Sequence, residues 1–79
     1  MSNKKQIEEC IRDGLEVYLR DLNGVEPAAM YDMMLKVVER PLLDVVMKHA
    51  DQNQSRAAEW LGINRNTLRR KLVEHKLIK

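Results

Sequence analysis

Apolar residues recur along this chain at helical spacing, and nowhere do they alternate with the period of two that a strand requires. Ile7, Ile11, Leu15, Tyr18, Leu19 and Leu22 lie on one helical stripe, with acids and bases between them. Asn23-Gly24 follows as a pair suited to a left-handed cap, so a first helix is expected to end there. Gly14, inside that helix, costs about 1 kcal/mol relative to alanine and is either a point of close helix approach or merely tolerated. Pro27 suits the first turn of a second helix expected to run to about Ala50. Met30, Met33, Met34, Val37, Val38, Leu42, Leu43, Val45, Val46 and Met47 cover well over half of its circumference. A helix so apolar must be buried on more than one side. The first helix of so small a chain cannot cover all of it, and the simplest cover is the same helix of a second subunit in an isologous dimer. Val37, Val38, Leu42, Val45 and Val46 are the expected dimer core. Pro41 should kink this helix, the alternative being a break at Arg40 and two shorter helices. The methionine stripe reads as packed core rather than as an adaptable binding groove.

Two short helices follow. Asn53 is placed to cap Gln54–Leu61, with Ala57, Ala58 and Leu61 inward, and Gly62 closes it where positive φ is needed. Ile63 fills the turn, and Asn64 caps a helix that begins at Arg65 and is held down by Leu68 and Leu72, four residues apart. The spacing Ala58-x3-Gly62-x5-Leu68 is that of a helix-turn-helix. A small residue at 58 lets the helices cross closely, the glycine makes the turn, and the leucine pins the second helix. A plain helical hairpin with a basic face is the blander possibility. The expected fold is therefore all-α with four helices, residues 1–50 forming the dimerisation core and residues 51–79 the helix-turn-helix, within one domain.

Charge changes the picture only when the chain is divided. Residues 1–50 carry seven Lys/Arg and nine Asp/Glu, a net of −2, whereas residues 51–79 carry seven against three, a net of +4. The positive excess thus lies wholly at the helix-turn-helix end, as a polyanion-binding module requires. With Leu68 and Leu72 inward, Arg65, Asn66, Arg69 and Arg70 face out. Arginine pairs bidentately with guanine and asparagine with adenine, and the start of a recognition helix is what reaches base edges. Arg65 with Asn64 is the leading base reader, Arg69 one turn later the second, and Asn66 a further candidate. Asn53, Gln54 and Ser55 open a helix whose free N–H groups attract a phosphate oxygen. Arg56, Thr67, Arg70 and Lys71 flank the groove as backbone contacts, which set register without reading sequence. A solvated surface charge is the alternative for each cation, and the better one for Lys76 and Lys79. Trp60 is a candidate stacking platform for single strands, but packing against the second helix is the expectation.

Other chemistry is thin. Cys10 is the only cysteine, so neither an internal disulfide nor a cysteine-based metal site is expected. His49 and His75 lack ligand neighbours at useful spacing, so no metal and no cofactor are expected. No nucleophile–base pair, paired catalytic carboxylates or phosphate-cradling glycine loop is present, which argues against an enzyme and a small-molecule substrate. The polar start has no signal-peptide core and no long apolar run exists, so a cytoplasmic protein away from the membrane is expected. A chain of 79 residues buries only roughly 60% of its unfolded surface, which makes a partner subunit the natural remedy for marginal stability.

Leu22-Asn-Gly24, Val38-Glu-Arg-Pro-Leu-Leu-Asp-Val-Val-Met47, Asn53-Gln-Ser-Arg-Ala-Ala58 and Leu61-Gly-Ile-Asn-Arg-Asn-Thr-Leu-Arg-Arg-Lys-Leu72 together resemble the Fis family, the bacterial factors for inversion stimulation. The resemblance spans about residues 7–75. It implies a homodimer with the first two helices interwoven as the core and a helix-turn-helix at either end. It also implies a DNA-bending, nucleoid-associated transcriptional regulator that reads degenerate sites with A/T-rich centres partly through deformability. Double-stranded DNA and a second copy are the implied partners, with RNA polymerase or other transcription proteins as further ones. Matching positions place Asn64, Arg65 and Arg69 at the bases, and Asn53, Ser55, Arg56, Thr67, Arg70 and Lys71 at the DNA backbone. Better-known members carry N-terminal β-hairpin arms that contact an invertase. This chain begins close to its first helix, so DNA binding without stimulation of inversion is expected. Asn66 stands where a glycine is frequent, a departure that bears on base preference. The last motif also occurs in C-terminal domains of enhancer-binding activators, so a dimerisation or interaction module of such an activator is the alternative function. Met1 and the polar start favour a complete protein over such a fragment.

Overall fold

The computed structural model describes residues 3–79 and contains four helices and no strand among them: α1 (Asn3–Asp21), α2 (Met30–His49), α3 (Gln54–Leu61) and α4 (Arg65–Glu74). The all-α class and the element order agree with the periodicity. The chain falls into two compact units, one ending at Met30 and one running Tyr31–Lys79. In the first, α1 stops at Asp21, and Asn23 (φ 58°) and Gly24 (φ 90°) are both left-handed, the ending that Asn-Gly announces. No residue of α1 is buried in the single chain.

Two expectations for α2 need correction or refinement. Pro27 lies outside the helix, which begins three residues later at Met30. Ala29 is left-handed (φ 53°), and that reversal stops the right-handed path from propagating back to the proline. At Pro41 the helix does not divide. Met30–His49 is one element with the proline inside it, so its missing N–H is tolerated by a helix held on both sides of the ring.

The second unit is built on one buried cluster. Leu43, Met47 and Ala50 come from α2 and the turn after it, Ala57 and Ala58 from α3, and Leu68 and Leu72 from α4. Val46, Leu61, Ile63, Leu77 and Ile78 pack around it, half-buried. The cluster crosses residue 50, so the last turns of α2 supply one wall of the helix-turn-helix core. Ala50, Ala57, Leu68 and Leu72 are each 0% exposed. The alanines explain why the leucines fit: without larger side chains in the way, α4 can lay two leucines one turn apart directly onto the neighbouring backbones.

The turns are set locally. The Asn53 side chain accepts from the Arg56 N–H at 3.0 Å, and that of Asn64 accepts from the Asn66 N–H at 2.7 Å, so both expected caps form. Gly62 is left-handed (φ 73°), donating to the carbonyls of Ala58 at 2.8 Å and Glu59 at 3.2 Å, while Ile63 N–H reaches the Ala58 carbonyl at 3.1 Å. This is the glycine-terminated helix end that the spacing requires. Between α2 and α3, Asp51 (φ 54°) and Gln52 (φ 62°) are also left-handed, a conformation that costs non-glycine residues about 1–2 kcal/mol each.

These two kinds of constraint should separate in a denaturation experiment. Leu68→Ala empties a fully buried site and should destabilise by about 2–5 kcal/mol. Gly62→Ala meets no atom within 4 Å and suffers only from its φ, so its cost should be about 1 kcal/mol. Urea unfolding at one protein concentration measures both; equal losses would mean that packing at residue 68 does not dominate.

Candidate nucleic-acid interface

The arc of α4 opposite Leu68 and Leu72 carries Arg65, Asn66, Arg69 and Arg70, all exposed. Arg65 and Arg69 lie one turn apart, and the first turn of α4 opens beside the first turn of α3. There, Gln52, Asn53, Gln54, Ser55, Arg65, Asn66 and Arg69 line an open cleft of about 530 Å³. Arg65 Nη1 donates to Ser55 Oγ at 3.3 Å across it. The cleft thus joins two of the three expected base readers to two of the expected backbone contacts, and no acid lines it. Asn66 and Gln54 belong to it as well.

The other expected residues lie around this cleft. Asn64 is exposed at the mouth of α4, its side-chain oxygen engaged in capping, which leaves its amide NH2 free to donate. Asn53 is in the same state at α3. Arg56 and Arg70 are exposed and Thr67 is half-buried, none of them lining the cleft. Lys71 is different. Its Nζ lies 2.7 Å from Glu39 Oε2, and its side chain is 30% exposed. Trp60 does not pack as expected: it is 56% exposed, because Ala57, Ala58 and Leu61 take the inward arc of α3 and leave residue 60 on its flank.

Behind α4 is a polar arrangement that linear spacing does not reveal. Glu39 of α2 accepts from Lys71 through Oε2 and lies 2.7 Å from His75 Nε2 through Oε1. The next residue, Arg40, donates through Nη1 to the His75 carbonyl. His75 is only 9% exposed. Two consecutive residues of α2 therefore clamp the last turn of α4, with partners one helical turn apart. Glu39 is held below the usual carboxylate value by its hydrogen bonds from Lys71 and then His75, with their charges acting in the same direction against a smaller effect of burial. Glu74 brings a second carboxylate to this group, within 4.8 Å of Glu39 and His75 ligand atoms.

Comparison with known proteins agrees with this architecture. The profile of the Fis family of bacterial regulatory proteins matches residues 34–78, from the second turn of α2 through the helix-turn-helix. This chain belongs to the Fis family. A Fis-like DNA-binding protein of Ralstonia nicotianae is 57% identical over 76 residues, which is 96% of this chain and 99% of that protein. A Fis-like DNA-binding protein of Neisseria meningitidis serogroup A is 56% identical over 72 residues, 91% of each chain. The DNA-binding protein Fis of Glaesserella parasuis is 44% identical over 71 residues, covering 90% of this chain and 72% of that one. The Fis profile begins five residues before Glu39, so it takes in both the cleft and the clamp behind it.

The clamp predicts a pH response. Because the folded carboxyl of Glu39 lies below the ordinary value of 4.5, its contribution is present above about that pH and is lost as pH falls through the depressed value. Thermal melts from pH 6 to pH 3 in EDTA should therefore show the native chain losing stability more steeply than Glu39→Gln. Parallel curves would mean that the carboxylate is not held by Lys71 and His75 in solution.

Proposed function

We propose that this Fis-family chain is a homodimeric DNA-binding and DNA-bending protein that regulates transcription as a nucleoid-associated factor. The observation that carries the reading is the acid-free cleft where Arg65, Asn66 and Arg69 of α4 converge with Asn53 and Ser55 at the start of α3. In this reading α4 enters the major groove. Arg65 and Arg69 reach guanine edges and Asn64 a base at the helix mouth. Asn53, Ser55, Arg56, Thr67 and Arg70 hold the phosphates on either side. The start of α3 supplies backbone N–H groups to one of them. Lys71 reaches a phosphate only by giving up Glu39. The DNA-binding names of the relatives support the partner.

The second copy is supported by α2. Val37 is 54% exposed, Val38 37%, Leu42 47% and Val45 54% in the single chain, whereas Val46, also expected in the dimer core, is half-buried against the helix-turn-helix core. An aliphatic stripe of this size on a helix whose other face is already core is a surface made to be covered. Pairing two such stripes would give the isologous interface and set two reading heads on one duplex. Where the heads lie closer than successive major grooves, the duplex bends and its centre is selected by stiffness, which gives A/T-rich centres their preference. RNA polymerase or another transcription protein on the bound DNA completes the regulatory reading.

Two experiments test it. Fluorescence anisotropy across a salt series would compare duplexes with identical guanine-containing flanks and either an A/T-rich or a G/C-rich centre. Tighter binding to the A/T-centred duplex is expected, and Arg65→Ala should cost about 1–3 kcal/mol while relaxing discrimination at one position per half-site. Equal weakening on every sequence would take Arg65 out of the base readers. A folded dimer that binds neither duplex would favour the interaction module of a larger activator.

Light scattering addresses the dimer directly. The native chain should have twice its 9.3 kDa mass, and Val45→Asp should give monomer or unfolded protein because it puts a charge into a desolvated interface. A Val45→Asp protein that remains a folded dimer would place the interface elsewhere.

A further inference from the structure

The clamp behind α4 has a composition that exceeds what holding a helix requires. Glu39, Glu74 and His75 each bring one ligand atom to within 4.8 Å of the others. They supply two carboxylate oxygens and one imidazole nitrogen, and the imidazole belongs to a residue only 9% exposed. That donor set is suited to Zn²⁺, which accepts nitrogen and oxygen together, whereas Mg²⁺ and Ca²⁺ favour oxygen alone. Solvent reaches the carboxylates through an open cleft of about 330 Å³ lined by Asp32, Leu35, Lys36, Glu39, Lys71 and Glu74.

We propose that Glu39 Oε1, one Glu74 oxygen and His75 Nε2 form a three-residue site for Zn²⁺, with water from the cleft at the fourth position. Zinc ligands at about 2.0–2.2 Å stand roughly 3.3 Å from each other in a tetrahedron. The Glu39–His75 separation of 2.7 Å therefore opens slightly to admit the ion. Glu74, exposed and at the end of α4, swings in. Two carboxylates match the ion's charge. Lys71 keeps Glu39 Oε2, the oxygen that the metal does not need, and so orients the carboxylate, although its own positive charge lowers the affinity. The bound ion joins α2 to the last turn of α4 at the place where Glu39 and Arg40 already clamp it. Because the site exists only in the folded chain, zinc raises stability by mass action.

Calorimetric titration of zinc chloride into EDTA-stripped, dialysed protein tests this without DNA. A Cys10→Ser background removes an exposed thiol that would also take zinc. One ion per chain, with a higher melting temperature that equimolar Mg²⁺ does not reproduce, is the expected result. His75→Gln and Glu74→Gln should each weaken binding roughly tenfold or more with unchanged helical circular dichroism. Glu74 is exposed, so that variant keeps the test decisive even if His75→Gln unfolds. No saturable heat with the Cys10→Ser chain, or affinity unchanged in Glu74→Gln, would overturn the site.

Discussion

The structure of the helix-turn-helix depends on two leucines that must sit on alanine. Leu68 and Leu72 are completely buried, and the surfaces beneath them are Ala50, Ala57 and Ala58. Once those leucines are seated, the rotation of α4 about its own axis is no longer free. Residues four apart share a face, so Arg65 and Arg69 are turned outward by the same packing that turns Leu68 and Leu72 inward. The cap at Asn64 then fixes where the helix begins, and the left-handed Gly62 fixes the angle at which the chain enters it. The polar cleft is a consequence of an apolar fit. A larger side chain at 57 or 58 would push α4 away and reorient every cation on it.

Around this seat α2 serves two directions at once. Leu43 and Met47 face the helix-turn-helix core, while Val37, Val38, Leu42 and Val45 remain open on the single chain. Glu39 and Arg40, between those sets, reach the far end of α4. The consequence is mechanical. A helix that continues through Pro41 links whatever covers its aliphatic stripe to the orientation of α4. In the proposed dimer, a continuous helix rather than a linker would carry the load of any deformation imposed on the DNA. Bending a duplex of 20–30 base pairs costs on the order of 1–6 kcal/mol, which a flexible linker could not impose.

How much of this was visible in the sequence follows the range of each interaction. Features carried by neighbours in the chain were plain: the caps at Asn53 and Asn64, the left-handed Asn23, Gly24 and Gly62, and the bounds of α3. The inward leucines and the outward cations followed from helical period alone. What sequence missed is what two distant segments do together. Glu39 meets Lys71 and His75 across more than thirty residues, so neither the partner of buried His75 nor the loss of Lys71 as a free cation has any local sign. Left-handed Ala29 and Gln52 were equally hidden, because nothing in those residue types asks for positive φ, whereas Asp51 is of a type that visits it. Pro27 misled for the same reason. Trp60 is expected against the second helix, yet its angular position on α3 leaves it at the edge.

Charge gains its meaning from where folding puts it. Residues 51–79 hold three acids, and none of them lines the cleft between α3 and α4: Asp51 is in the preceding turn, Glu59 on the far part of α3, and Glu74 at the opposite end of α4. The cations at the cleft therefore act with little local cancellation, which is the arrangement that concentrates a polyanion at a surface. The clamp subtracts from this total. Of the seven Lys/Arg in that segment, Lys71 is already paired with Glu39, an acid from the other half of the chain. A sequence-based count of phosphate contacts would include it, and each contact counted adds roughly 0.9 to the expected salt slope on duplex DNA. That segment of the folded chain thus offers one fewer free cation than its sequence does, and Lys71 instead holds the helix that carries Arg65, Arg69 and Arg70.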